Sequence, residues 1–317
     1  MSRITMKNRV QDYTLSESFE HFIRKCKVKN LSEVSIKSYQ QKTRQFFDFF
    51  GEERKISEVN ITAIEDFILW LRSRESCGDI AINSVLRAVR AWLYFCMDNE
   101  YLPRFKVQLI KCETPVKKTY SDSALLVLLK KPDKKDCAFV EFRTWALINF
   151  LVGTGVRVST AVNVKISDIN FQDGTILLRQ VKNRRQQIIP LGKQLASVLE
   201  EYLTVRGGEP SDYLFCNEYG QQSTVKAQQS ATRKYNLKRG IDTTSLHSFR
   251  HTFAKNWVLS GGDVFRLQKI MGHSDLSVTR QYVAMFGGDL QMNFEKFNPL
   301  DRLAQGHDSS KRIKVHR

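Results

Sequence analysis

The 317-residue sequence has no apolar run long enough to cross a membrane. Its longest nearly apolar stretch, Trp145 to Val156, is interrupted by Asn149 and Thr154, and a spanning helix needs about 20 residues. The N-terminus, MSRITMKNRVQDY, lacks the apolar core of a signal peptide. Export and membrane insertion are therefore not expected, and the chain reads as cytoplasmic. The six cysteines include no Cys-x-x-Cys pair, which excludes a zinc ribbon and a disulfide framework. No metal site or cofactor is expected. Acidic residues are scarce beside basic ones: 33 Asp and Glu face 50 Lys and Arg, a formal charge of +17 with a pI near 9.6. Such an imbalance points to a polyanionic partner, and without a membrane segment that partner reads as nucleic acid.

No proline falls between Leu15 and Glu100, and no alternating run marks a strand there. Periodicity predicts four helices instead. Ser16 is placed to cap the first, which carries Phe19, Phe22 and Ile23. The second runs to Gly51 with Val34, Tyr39, Phe46 and Phe50 as its stripe. Ile64, Ile68 and Leu71 mark the third, and Val85, Leu86, Val89, Leu93 and Cys96 the fourth. A four-helix domain over residues 13–112 is expected. Lys37, Lys42, Arg44, Arg87 and Arg90 lie off these stripes and are candidate phosphate contacts. Residues 113–121, polar and basic around Pro115, read as a linker.

A second domain is expected over 122–286, mainly α with a small three-stranded antiparallel sheet. Helices are predicted around Ser123–Leu129 and Phe139–Val152. The strands are predicted at Ile166–Phe171, Thr175–Val181 and Gln187–Leu191, around the turns Gln172-Asp173-Gly174 and Lys182–Arg185. Farther on, LHSFRHTF opens a helix from Ser245 to Ser260, with His247 and Arg250 three apart on one face. A short helix closes at Gly272, His273 follows, and Asp275 can cap the helix that carries Tyr282.

Taken in order, GTGVRVS around Arg157, the Lys182 turn ending in IIPL, LHSFRHTF and MGHSDLSVTRQYV resemble the tyrosine recombinase (phage integrase) family. The resemblance spans about Ser121 to Tyr282, and the helical first half resembles the core-binding domain of that family. It implies a site-specific recombinase or integrase acting on paired sites in double-stranded DNA through a 3′-phosphotyrosine on Tyr282, with neither metal nor ATP. Arg157 and Arg250 would clamp the scissile phosphate with planar, permanently charged forks. His247 would take the tyrosine proton, Lys182 would protonate the departing 5′-oxygen, and His273 would donate to a non-bridging oxygen. Arg184 and Arg185 stand close to Lys182 and join the DNA-binding candidates. In this family an acidic residue usually stands three positions after the first arginine, where this chain has Thr160.

Two other readings share these residues: a tyrosine-linked topoisomerase of the strand-nicking type, and a DNA-binding regulator with a decayed site. His247, His251 and His273 could also suggest zinc, but no carboxylate or thiol stands at ligand spacing beside them and Arg250 would repel the ion. Beyond Gly287-Gly288, Leu290, Phe294 and Phe297 form a stripe before Pro299 within residues 287–304. This short helix would dock on its own domain or, as the resemblance implies, through residues 289–298 on a neighbouring subunit of a tetramer on DNA. Residues 305–317 form a basic tail.

Overall fold

A computed structural model describes residues 12–74, 78–113, 117–179, 186–273 and 275–286. The chain divides into two compact units, Met1–Pro115 and Val116–Arg317.

The first unit holds α1 (Leu15–Val28), α2 (Glu33–Phe50), α3 (Ile61–Arg72) and α4 (Asp79–Asp98). α1 starts two residues earlier than a Ser16 cap would allow. Thr14 is the cap, accepting from the Glu17 amide while the Glu17 carboxylate accepts from the Thr14 amide, so two orphan donors are satisfied at once. α4 is no uninterrupted apolar run, since Arg87 and Arg90 lie within it, yet its length and average hydropathy alone would suit a membrane span. Here it is the axis of the bundle, with Trp92 packed edge-on against Phe19, Phe46 and Phe47. The inward stripe of α2 is Ile36, Thr43 and Phe46, whereas Val34 is 80 % exposed. The Ser32 cap sets the helix phase, and two residues of helix separate Val34 from Ile36 by about 200°. The Asn83 side chain pairs with both backbone groups of Ile110, pinning the last stretch of the unit onto α4.

The second unit is built around α6 (Phe139–Thr154), buried on nearly every side. Around it lie α5 (Asp122–Leu129), α7 (Val158–Ala161), α8 (Lys193–Arg206), α9 (Val225–Lys238), α10 (Leu246–Leu259), α11 (Val264–Met271) and α12 (Leu276–Phe286). Strands β1 (Ile169–Asn170), β2 (Thr175–Leu178) and β3 (Gln187–Pro190) form an antiparallel sheet in chain order, with Ile169 opposite Ile176 and Leu178 opposite Gln187. β1 is shorter than expected. Residues 166–168 form a 3₁₀ turn because the Ile166 and Ser167 amides bond the carbonyls of Asp212 and Pro210 rather than a neighbouring strand. The Asp168 carboxylate closes that turn on the Lys165 amide and receives Arg179 at 2.6 Å.

Part of the expected linker is packed. Tyr120 stacks on Phe249 with centroids 4.2 Å apart, its amide donates to Thr252 Oγ1 at 2.8 Å, and its hydroxyl donates to the Thr243 carbonyl at 3.0 Å. Residues 117–120 thus run along α10 into the site. α6 ends at Gly155, left-handed at φ +64°, where an added Cβ would sit 2.3 Å from Phe253 Cδ1.

Gly155→Ala should therefore combine a left-handed penalty of roughly 1–2 kcal/mol with overpacking of roughly 1–3 kcal/mol. Urea denaturation checks this; a variant with an unchanged midpoint would show that the turn has slack.

Candidate active site

Gly155 matters to the site through its carbonyl as well as its φ. The turn it makes carries the chain through Val156 to Arg157, which stands at the N-cap of α7. The Gly155 oxygen accepts from Arg250 Nη1 at 2.8 Å. Arg250, 2 % exposed, lies on α10, held inward by the fully buried Phe249. Its Nη2 donates to the Met271 carbonyl at 2.8 Å and to His273 Nε2 at 2.7 Å. One guanidinium thus joins the α6–α7 turn, the end of α11 and the residue beyond Gly272. Gly272 ends α11 in the left-handed conformation, turning the chain so that His273 points back at Arg250.

A guanidinium can only donate. His273 Nε2 is therefore the unprotonated acceptor, and Nδ1–H donates to Thr279 Oγ1 on α12 at 2.8 Å. In this arrangement both ring nitrogens are engaged, so the expected donation to a phosphate oxygen requires His273 to release Arg250 first. Across this scaffold lies Tyr282, 2 % exposed and packed with Ala254, Leu267 and Met271. Its ring is nearly parallel to that of His273, with 6.3 Å between centroids and 4° between planes. Its hydroxyl lies 2.7 Å from His251 Nδ1. The Lys117 ammonium sits 4.1 Å from the Tyr282 ring centroid and donates to Gln281 Oε1 at 3.1 Å.

Lys117, Arg157 and Arg250 converge here without a counter-charge: among the described residues no carboxylate forms an ion pair with them. Burial and then Arg157 lower the Arg250 pKa to about 10, which leaves it charged at neutral pH. Burial, His247, Lys117 and Arg250 push His251 down to about 4. Burial followed by Arg250, Arg157 and Lys117 does the same to His273, again to about 4. His247 is lowered by partial burial and the same three cations. Burial raises Tyr282, while Arg250 and Arg157 pull it back by favouring the phenolate. Cations that oppose protonation of histidine and favour ionisation of tyrosine form a field awaiting an anion.

Of the six catalytic candidates, Arg157, His247, Arg250, His273 and Tyr282 come together; Lys182, with Arg184 and Arg185, lies outside the described residues. The histidine on the Tyr282 hydroxyl is His251 rather than His247, whose ring meets the His251 ring edge-on with centroids 4.5 Å apart. Thr160 lies within α7 and is buried, its amide bonded to the Arg157 carbonyl. Lys37, Lys42, Arg44, Arg87 and Arg90 belong to the first unit. Arg44 is engaged there by Asp48 and Glu52, both at 3.1 Å. Lys42 lies about 160° around α2 from Arg44 by helical spacing, so the α2 basic residues do not share one face. Sequence reasoning missed Lys117 and Thr279, and weighed His251 only as a zinc ligand although it stands four residues after His247.

Among the described residues, Tyr282 thus stands beside a histidine within a cluster of cations that no carboxylate pairs, an arrangement chemically suited to an anionic phosphate. The phage integrase family model matches residues 123–287 and that of a phage integrase N-terminal SAM-like domain matches residues 19–99. Tyrosine recombinase XerA of Pyrococcus furiosus is 30% identical over 229 residues, 71% of this chain and 77% of that protein. Tyrosine recombinase XerC of Leptospira interrogans is 24% identical over 294 residues, 90% of this chain and 94% of that protein. The solved Tn1549 transposon integrase, in complex with transposon right end DNA, shares the fold with a TM-score of 0.75 at 18% identity, covering 92% of this chain and 100% of that one. The chain belongs to the phage integrase family of tyrosine recombinases, enzymes that break and rejoin DNA.

The lowered histidines make acid stability a test of the site. A histidine whose folded pKa lies below its ordinary 6.5 stabilises the fold fully above that value, and the contribution is lost as pH falls toward the folded value near 4. The urea midpoint should fall across that window, and His251→Gln with His273→Gln should flatten the fall. An equally steep curve in the double variant would show that these two rings are not its source.

Proposed function

We propose that this recombinase cleaves DNA by attack of Tyr282 on a scissile phosphate held by Arg157 and Arg250, leaving a 3′-phosphotyrosine. The observation that carries the reading is a juxtaposition: the Tyr282 hydroxyl on a histidine, beside two guanidinium groups that no carboxylate among the described residues pairs. Attack places additional negative charge on the non-bridging oxygens, and donors fixed beforehand stabilise it without reorganising. Arg250 is such a donor because two carbonyls hold it in place. A phosphate arriving between Arg157 and Arg250 would offset the local positive charge and raise the affinity of His273 for a proton, freeing it from Arg250 to donate to the phosphate. The tyrosine proton goes to the histidine pair His247–His251, and Lys182 is the acid for the departing 5′-oxygen. The ester linkage is conserved in the phosphotyrosine, so attack by a 5′-hydroxyl reseals the strand without nucleotide hydrolysis.

The partner is double-stranded DNA carrying two target sites, a reading supported by the excess of cations and by the DNA complexes of structurally similar integrases. Exchange between two duplexes calls for a tetramer, with residues 289–298 of each subunit, which lie outside the described residues, docked on a neighbour. Lys37, Lys42, Arg44, Arg87 and Arg90, with Arg184 and Arg185, are proposed to contact the DNA backbone, Arg44 by exchanging its carboxylates for phosphate. The cytoplasm is the proposed setting.

Incubated with a nicked random-sequence duplex library, the protein should form a detergent-resistant covalent adduct whose sequencing yields the target site. Tyr282→Phe should abolish it while preserving a gel shift; an adduct that survives places the nucleophile elsewhere. Arg250→Ala should slow cleavage at least about a hundredfold with a much smaller loss of affinity, because diffuse phosphate contacts dominate binding. Equal losses would make Arg250 a binding residue only.

A further inference from the structure

We infer that His251 is the base that takes the phenolic proton of Tyr282 as the tyrosine attacks phosphorus, a role the sequence pattern had assigned to His247. The inference rests on the proposal that Tyr282 is the nucleophile, and it makes His251 a catalytic residue the motif does not name.

Distance comes first. His251 Nδ1 lies 2.7 Å from the Tyr282 hydroxyl, within the range for direct proton transfer. Among the described residues no hydrogen bond joins His247 to Tyr282; the contact His247 makes is edge-on to the His251 ring. Placement is the second argument. His251 follows Arg250 on α10, and Arg250 is anchored to the Gly155 and Met271 carbonyls. The base and the phosphate clamp therefore share one rigid segment, and the distance between proton acceptor and phosphorus is fixed by the helix. His247 lies one turn away, at the exposed start of the helix.

The groups facing His251 are Lys117 from the segment before α5, His247 and Arg250 on α10, and Tyr282 on α12. None of these groups carries a negative charge at neutral pH. At neutral pH His251 is thus uncharged, with a lone pair available at Nδ1 when the proton is on Nε2. A proton taken by His251 in the empty site would sit among cations; with the scissile phosphate present, the same proton faces an anion. Base strength rises only when DNA is in place.

The step balances as follows. The Tyr282 oxygen forms its bond to phosphorus and gives its proton to His251 Nδ1; the bond from phosphorus to the 5′-oxygen breaks, and that oxygen leaves with the electron pair and takes a proton from a separate acid. In rejoining, the 5′-hydroxyl returns its proton to that separate acid as it attacks phosphorus, the bond to Tyr282 breaks, and His251 gives its own proton back to the phenolate.

The test uses the full chain, a duplex built on the sequence trapped from the random library, and the same duplex with sulfur at the 5′-bridging position. His251→Ala and His251→Asn, confirmed as folded by circular dichroism and as DNA-binding by gel shift, should each form adduct at least about a hundredfold more slowly than the parent. Asparagine can keep a hydrogen bond to the tyrosine but cannot take its proton, so the Asn variant separates a base from a holder. Imidazole added to the Ala variant should restore part of the rate. The sulfur duplex should rescue neither variant, because its leaving group needs no acid and the missing step is at the nucleophile. In the parent the cleavage rate should fall as pH drops from about 6.5 toward the value near 4 that His251 has without DNA, and His247→Ala should keep that limb. A His251→Asn rate equal to the parent overturns the inference, as does rescue by sulfur or a parent rate flat in acid. A covalent adduct that persists in Tyr282→Phe, or its absence from the parent, instead overturns the assignment of Tyr282 as nucleophile.

Discussion

The catalytic unit depends on the way Arg250 is held. A buried guanidinium normally needs an anionic partner, because removing a lone charge from water costs several kcal/mol. Here the partners are two main-chain carbonyls and an imidazole nitrogen. Each comes from a different part of the chain, so the contact that solvates the cation also fixes the turn after α6, the end of α11 and the ring of His273. Thr279 carries that constraint on to α12 and the tyrosine. Two left-handed glycines, Gly155 and Gly272, are the backbone conditions for it.

The lack of a paired carboxylate among the described residues gives this arrangement its chemical character. A Glu or Asp at position 160 could have neutralised part of the charge and helped to orient a neighbouring side chain. Thr160 leaves orientation to backbone carbonyls and leaves the charge unspent for phosphate. Lys117 adds to that charge, delivered by a segment that is stacked and hydrogen-bonded along α10. The cluster is thus built from fixed geometry and uncompensated sign.

Much of this was legible in the residues. Helical spacing placed His247 and Arg250 on one face, the Gly272 stop located His273, and the four apolar stripes gave the first unit, because each feature follows from local period and capping. What escaped was tertiary. α9 buries Gln228, Thr232 and Asn236 beside Tyr235, so it has no apolar stripe to read. Residues 166–168 looked like strand until their amides were claimed by the loop at 210–212. Lys117 lies 165 positions from the tyrosine it covers, and no local pattern connects them. His251 was visible at helical spacing, but choosing between it and His247 needs the direction of a side chain.

Phosphate and fold are coupled through that unneutralised cluster. The DNA backbone supplies the counter-ion the polypeptide omits, so the catalytic unit is most tightly held together when it is loaded, and anything that binds only the folded form stabilises it by mass action. Small oxyanions in the surrounding medium would compete for the same place. The resting protein is then sensitive to the identity of its dissolved salts as well as to their concentration, and a sulfate-rich medium would conserve the protein while slowing its work.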